Sequence, residues 1–257
     1  MFKLGGVENF RDFGGYSVND GRRVRGGILF RSGHLGKATA EDAETILGLG
    51  VEVILDLRRA EERRRHPTGG WAAGCRVITS DLGHDHDPWL AFIRGSDLSV
   101  ASFQRYLFDF YRAAPFDQQH VDLFSRHFAA LAAITGATLI HCAAGKDRTG
   151  LIVALTQALI AVHRDDIVSD YLLTNRHRPY ETSAKLLNQI ITEAAGGRRP
   201  SEEAVRISIE VEAAYLEAAF DAIEREYGSL DRYFERALGV TPAIRAAIRA
   251  RLTEAPE

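Results

Sequence analysis

Two hydrophobic patterns divide the chain. Up to His141, short apolar runs alternate with polar, capped segments, whereas from Asp165 onward apolar positions recur only at helical spacing. The run Val51-Glu-Val-Ile-Leu-Asp-Leu is β-branched and predicts a buried strand, and Arg25–Ser32, Cys75–Thr79 and Ala137–His141 predict three more. Between them, Thr39 is placed to cap a helix over Ala40–Gly48, with Glu41 and Asp42 in its first turn. Arg58–Arg65 reads as a short charged helix stopped by Pro67, and Asp117–Thr135 as a longer one. Ser80–Ser99 carries Gly, Asp, His and Pro without periodicity and reads as a long loop, a length that in compact domains tends to serve function. In Ser102–Ala114 the residues Phe103, Tyr106, Leu107, Phe110 and Tyr111 share one helical face, which suits core packing or the wall of a site.

After the last strand comes an apolar helix over Leu151–Val162. Further helices are predicted over Asp165–Asn175, Tyr180–Ala195, Glu202–Tyr227, Leu230–Leu238 and Pro242–Leu252. Strands early and helices late predict an α/β fold: a short, mainly parallel central sheet flanked by helices, with a largely helical C-terminal half. No repeat or long linker interrupts the 257 residues, so one domain over 1–257 is expected.

Composition narrows the chemistry. A net charge of -3 argues against a broadly basic nucleic-acid surface, and no apolar run reaches the roughly 20 residues of a membrane span. The N-terminal stretch lacks the apolar core of a signal peptide, so a cytoplasmic protein is expected, with specialised secretion left open. Two cysteines, Cys75 and Cys142, make no disulfide framework. Cys75 lies in an apolar strand and reads as an inert thiol. Of 32 basic residues only Lys3, Lys37, Lys146 and Lys185 are lysine, so a surviving lysine invites the question of what its ammonium does.

The decisive segment is His141-Cys142-Ala143-Ala144-Gly145-Lys146-Asp147-Arg148-Thr149-Gly150, between a strand and a helix. Folded as a turn, the backbone N–H groups of residues 143–149 converge on one point, and a helix N-terminus lies behind them; such a nest binds a tetrahedral anion. Arg148 can grip two oxygens of that anion with its planar fork. The same field favours the thiolate of Cys142, which can attack a bound phosphoryl group in line and form a phosphocysteine. Thr149 can donate its hydroxyl to the sulfur, and Gly145 and Gly150 suit a tight loop.

The string HCAAGKDRTG resembles the signature loop of cysteine-based protein tyrosine phosphatases, in particular the bacterial atypical tyrosine and lipid phosphatases whose loop reads HCxxGKDRT. Asn9-Phe-Arg-Asp12, Leu29-Phe-Arg-Ser32, Asp56-Leu-Arg58 with Glu62, Asp170-Tyr171-Leu-Leu-Thr-Asn175 and Tyr227-Gly-Ser-Leu-Asp support the resemblance over most of the chain. It implies hydrolysis of phosphomonoesters without metal or other cofactor, with phosphotyrosine proteins or phosphoinositides as substrates. It also implies roles in activity for Lys146 and Asp147 beside Cys142 and Arg148.

The general acid stays open between Asp147 in the loop, whose cationic neighbours oppose the protonated form, and Asp81 at the end of the Cys75–Ser80 strand. His141 is expected to support the loop from beneath, and Asp56 and Arg58 to brace it from the neighbouring strand. The cluster Asp81, His84, Asp85, His86 and Asp87 carries metal-type side chains but reads better as a solvated loop, and Arg58–Arg65 with its interleaved Glu61 and Glu62 as a solvated helix face. A weakly active phosphate-binding module and another cysteine-loop enzyme, such as a sulfurtransferase or arsenate reductase, are the alternatives. The oligomeric state is not legible.

Overall fold

The computed structural model describes residues 4–83, 87–178 and 180–255. In chain order the strands are β1 (Arg11–Asp12), β2 (Arg23–Val24), β3 (Leu29–Ser32), β4 (Val51–Asp56), β5 (Arg76–Ile78), β6 (Ala137–His141) and β7 (Thr253–Glu254). Five of them form the central sheet in the order β1-β3-β6-β4-β5, while β2 and β7 make a separate antiparallel ribbon. Within the sheet β3, β6, β4 and β5 are parallel and only β1 is antiparallel.

The inner strands β3, β4 and β6 are buried along nearly their whole length because both faces of the sheet are covered there. Alternate residues supply the two cores: Val53, Leu55 and Ile140 face one, and Phe30, Ile54 and Leu139 the other. The larger core is closed by the helices Gln118–Ala133 and Asp147–Leu159, the smaller by Ala40–Gly48 and the N-terminal Val7 and Phe10. Thr39 caps Ala40–Gly48 as expected, in a reciprocal box with Asp42, and the Asp42 carboxylate also accepts from the backbone of Gly5 and Gly6. The helix Asp147–Leu159 is apolar on nearly every side because further helices enclose it.

Several boundaries differ from the sequence reading, and four of them matter most for the site and its surroundings. The expected loop 80–99 contains a helix, Pro88–Gly95, started by the Asp87 side chain on the Trp89 N–H with proline in the first turn. The single helix expected over Glu202–Tyr227 is two, Glu202–Ile209 and Ala213–Tyr227. The break comes where Val211 exchanges both backbone groups with the Asn175 side chain. The strand expected from Arg25 begins only at Leu29, after a turn at Gly26 and Gly27. The helix expected from Leu151 begins at Asp147, so four loop residues form its first turn.

The C-terminal helices lie on one side of this sheet. Ala213–Tyr227 and Glu202–Ile209 pack against the aromatic helix Val100–Ala113, and Pro242–Leu252 packs against Gln118–Ala133. No helix among the described residues is long and apolar enough to cross a membrane.

One buried group makes the fold acid-sensitive. His127 is fully buried, with Nε2 3.2 Å from Thr156 Oγ1. Burial, helped by the Arg251 charge, lowers its pKa from the ordinary 6.5 to about 3. Between those values the unfolded chain holds a proton that the folded chain does not, so stability falls as pH falls through that window. From pH 7 to pH 5 this residue alone should remove up to about 2 kcal/mol. His34 and His120, each lowered to about 4, act in the same direction. Urea midpoints measured from pH 7 to pH 5 should decline, and His127→Gln should flatten that decline.

Candidate active site

The parallel strands end together. Ser32, His141 and Asp56 are in register at the C-terminal ends of β3, β6 and β4, the edge where parallel sheets present their ligand sites. Cys142 follows directly and the loop turns into the helix at Asp147. Two glycines permit this path. Gly145 has φ +65°, and a Cβ there would lie 2.3 Å from the Ser32 carbonyl oxygen. A Cβ on Gly150 would lie 2.8 Å from the Tyr171 ring.

The loop's carbonyls are tied outward. His34 N–H donates to Ala143 O at 3.1 Å. Gly145 O accepts from Asn9 Nδ2 at 2.7 Å and from Arg31 Nη2 at 3.0 Å. A trans peptide is planar, so fixing those oxygens turns the Ala144 and Lys146 N–H groups the opposite way. Gly145 N–H itself donates to Cys142 Sγ at 3.2 Å. The sulfur is nearly inaccessible, with Cys142 2% exposed, at the base of a cleft of about 250 Å³.

Beneath the loop lies an ionic platform. Asp170 is 3.1 Å from Arg31 and 3.8 Å from Arg11, all three buried, and Arg11 in turn holds the Asn9 side chain. Arg11 and Arg31 are cross-strand partners on β1 and β3.

Arg148 is fixed with one edge left without a partner among the described residues. Its Nη1 donates to Leu57 O at 3.1 Å and to Glu62 at 2.6 Å, and its Nη2 donates to the second Glu62 oxygen at 2.7 Å. A guanidinium has five N–H donors, so Nε–H and one Nη2–H, side by side, remain. That pair matches two oxygens of a tetrahedral anion. Burial pushes the Glu62 carboxyl up, but Arg148 and the Arg59 backbone N–H outweigh it and hold it at about 2. Glu62 also raises the Arg148 pKa against the opposing effect of burial, so the cation is secure.

Asp56 and Arg58, read from the sequence as braces of the loop, form a buried ion pair beside it. Asp56 accepts from the backbone N–H and the guanidinium of Arg58, and Arg58 is anchored on His66 O and Thr68. Burial raises the Asp56 carboxyl, yet His141 and Arg58 together lower it. His141 Nε2 is 3.6 Å from Asp56, while burial lowers the imidazole's own pKa despite that neighbour. Leu57, between Asp56 and Arg58, donates to His141 O and accepts from Arg148.

Lys146 and Asp147 line the cleft with Cys142. The Lys146 ammonium is buried and reaches Ser208 O at 2.7 Å and Glu210 O at 3.4 Å, at the end of the helix Glu202–Ile209. Burial lowers its pKa, against the pull of Asp147 3.5 Å away. Asp147 accepts from Tyr111 at 2.9 Å, and the Tyr111 and Tyr171 hydroxyls are 2.6 Å apart. Burial and the Asp147 charge push both phenols well up, so each stays a proton donor. Thr149 Oγ1 is buried without a hydrogen-bond partner among the described residues.

Asp81 is placed elsewhere. It pairs with Arg63, its side chain is 77% exposed, and it lines a neighbouring hollow beside Arg64 and Gln119, not the Cys142 cleft. Asp87 does line that cleft, as do Trp89, Tyr106, Leu107 and Phe110, so part of the aromatic helix forms its wall. Phe103 and Tyr111 of the same helix are core residues. His84, Asp85 and His86 fall outside the described residues, and no group that could hold a metal occurs among the described ones. Cys75 is half-buried, with its sulfur on Val51 O. Glu62, expected on a solvated helix face, is instead the partner of Arg148. Its position two residues into a short helix after β4 gives no periodic signal of that contact.

Two substitutions probe the scaffold. Removing one member of a buried pair leaves the other charged and alone, at a cost of about 3–5 kcal/mol. Asp170→Asn should lower unfolding stability toward that range in urea titrations, and Glu62→Gln, whose pair with Arg148 is only partly buried, by less. Glu62→Gln should also raise the KM for any anionic substrate, because Arg148 loses its fixed edge.

A model of the tyrosine phosphatase family matches residues 2–254. A triple specificity protein phosphatase, PtpB, of Mycobacterium tuberculosis is 33% identical, over 94% of this chain and 95% of its own length. A Cupriavidus necator protein bearing the name "putative tyrosine-protein phosphatase" is 31% identical, over 92% of this chain and 84% of its own length. A tyrosine-protein phosphatase from Nostoc commune is 28% identical, over 88% and 74%. The match spans nearly the whole chain, including the loop that carries Cys142 and Arg148, and the chain belongs to the tyrosine phosphatase family.

Proposed function

We propose that the protein is a protein-tyrosine phosphatase working through a phosphocysteine on Cys142, with the whole chain acting as one catalytic unit in the cytoplasm. The observation that carries this reading is the pairing of a sulfur held by the Gly145 N–H with the unused edge of Arg148 in one cleft. The outward-tied carbonyls support it, because they leave loop amides for the equatorial oxygens of a phosphoryl group.

In the first step the Cys142 thiolate attacks phosphorus. The S–P bond forms, the P–O ester bond breaks, and the leaving oxygen takes a proton from the Asp147 carboxyl. In the second step water attacks phosphorus and gives a proton to Asp147. The S–P bond breaks, inorganic phosphate leaves, and the thiolate is restored. The unpartnered hydroxyl of Thr149 is available to the departing sulfur. Asp147 is preferred to Asp81 as the acid because it lines the cleft, and Tyr111 fixes the direction of its carboxyl.

The Trp89, Tyr106 and Phe110 wall suits the ring of a phosphotyrosine. A relative named a triple specificity phosphatase fits a cleft that also admits phosphoserine and phosphothreonine. Phosphoinositides belong to the same reading, since Arg59 and Arg178 also line the cleft and face a multiply charged headgroup.

Cys142→Ser should abolish turnover of p-nitrophenyl phosphate and of phosphotyrosine peptides while the fold stays intact by circular dichroism. Asp147→Asn should slow phosphoserine peptides by about 10²-fold or more and p-nitrophenyl phosphate far less, because an alkoxide needs the proton and a nitrophenolate does not. An equal loss on both substrates would remove Asp147 as the acid. The same split from Asp81→Asn would restore the other candidate.

A further inference from the structure

Beside the catalytic cleft lies a second one of about 160 Å³. The two share Ala143, Ala144, Arg178 and Leu187, so the outer side of the phosphate loop is the wall between them. One side of the second cleft is the turn after β3, with His34 and Lys37. The other is the helix Tyr180–Ala194, with Ser183, Leu186 and Ile190.

The polar groups here include one hydroxyl with spare capacity and one lysine. Ser183 Oγ and His34 Nδ1 are buried without a hydrogen-bond partner among the described residues, whereas Arg178 Nε faces the Glu8 carboxylate. Lys37 is exposed, adds a full positive charge, and is one of the four lysines in the chain. The one carboxylate, Glu8, is 3.5 Å from Arg178 and offsets that charge, so Lys37 leaves the cleft net positive. Leu186 and Ile190 are exposed, at 55% and 39%, and give the rim an apolar edge. An unpartnered hydroxyl, one uncompensated cation and an apolar rim are complementary to an acceptor-rich anionic side chain carried on a partly apolar backbone.

Resting on the phosphatase reading above, we propose that this second cleft is a specificity subsite. It takes a carboxylate or second phosphate from a residue neighbouring the phosphotyrosine in an extended peptide. Shared walls place it within reach of adjacent residues, which advance about 3.3–3.6 Å each along an extended chain. The volume suits one side chain, since a water occupies about 30 Å³ of liquid.

The test is a set of phosphotyrosine peptides with Glu, phosphoserine, Ala or Lys placed in turn at each position flanking the phosphotyrosine. They are assayed with the wild type, Lys37→Ala, Lys37→Glu and Ser183→Ala. Cys142-dependent turnover of p-nitrophenyl phosphate serves as the control. The wild type should prefer the acidic peptide at one position by about fivefold in kcat/KM, the scale of one exposed ion pair. Lys37→Ala should erase most of that preference, Lys37→Glu should invert it toward the Lys peptide, and added salt should shrink it. All three variants should keep p-nitrophenyl phosphate turnover. Equal rates on acidic and neutral peptides at every position, or a preference that survives Lys37→Glu, would overturn the subsite. So would a Lys37→Glu defect confined to a short-chain soluble phosphoinositide, which would reassign the cleft to headgroup recognition. Absence of Cys142-dependent turnover on p-nitrophenyl phosphate would instead overturn the phosphatase reading, and the subsite with it.

Discussion

A single carboxylate, Asp170, organises the ground on which the phosphate loop stands. It is 1% exposed and faces two guanidiniums, Arg31 and Arg11, brought side by side by the antiparallel pairing of β1 and β3. Two buried cations this close repel each other, and burial together with Arg31 lowers the Arg11 pKa to about 9. The arrangement holds because each guanidinium also meets an oxygen that needs a donor. Arg11 meets the Asp170 carbonyl, and Arg31 meets the carbonyl of Gly145. Burying such a network is costly, and replacing it with apolar residues often stabilises a protein. What apolar residues would not supply here is a directed grip on one peptide of the loop. The hypothesis that this grip is why the ions are there is open to the Asp170 substitution described above.

The same logic of pinned carbonyls runs through the site. Each outward-held oxygen in the loop implies an amide turned the other way, so anion-binding geometry exists before any anion arrives. Arg148 repeats the principle in a side chain. Glu62 and Leu57 consume three of its donors and so choose which edge is left. Preorganisation of this kind avoids ordering the donors at the moment of reaction, and it demands close contact. Gly145 leaves no room for a Cβ because the Ser32 carbonyl lies directly against it.

Much of this was legible from residues 137–150 alone. A β-branched strand, a cysteine, an arginine six positions later and an apolar helix specify the loop locally, so the sequence reading placed Cys142, Arg148, Gly145 and Gly150 in one turn. The platform was visible only as fragments. Asn9, Arg11, Arg31 and Asp170 occur in stretches quoted for their resemblance, and nothing in a one-dimensional pattern says that they meet under one glycine. Glu62 was misjudged for a definite reason. Charges interleaved on a short helix usually face water, and only the end of β4 brings this one against Arg148. Asp81 was weighed by its place after a strand, and a long exposed loop left its direction to tertiary pairing with Arg63. The broken helix at Glu210–Glu212 was illegible because its cause is a side chain 36 residues away, Asn175, which replaces the helical partners of Val211.

The cations around the loop differ in how far they are committed, and this difference sets what the site can recognise. Arg31 and Arg11 are consumed by the platform, Arg58 by Asp56, and the Lys146 ammonium by the carbonyls that end the helix Glu202–Ile209. Lys146 therefore couples that helix to the loop more directly than it presents charge to a ligand. An ammonium with three donors suits this task, because it can serve Ser208, Glu210 and Asp147 at once, whereas a planar guanidinium would impose its own plane on them. In the proposed reading the free edge of Arg148 then remains for the transferred phosphoryl group, and Lys37, on the far side of the loop, for a neighbouring anion. On that reading charge recognition is divided by the loop itself: the inner face suits a tetrahedral group, and the outer face carries a more exposed positive charge beside an apolar rim. A site built this way discriminates chemistry sharply and sequence weakly, since an exposed ion pair contributes at most about 1 kcal/mol while a fixed oxyanion donor contributes several times that.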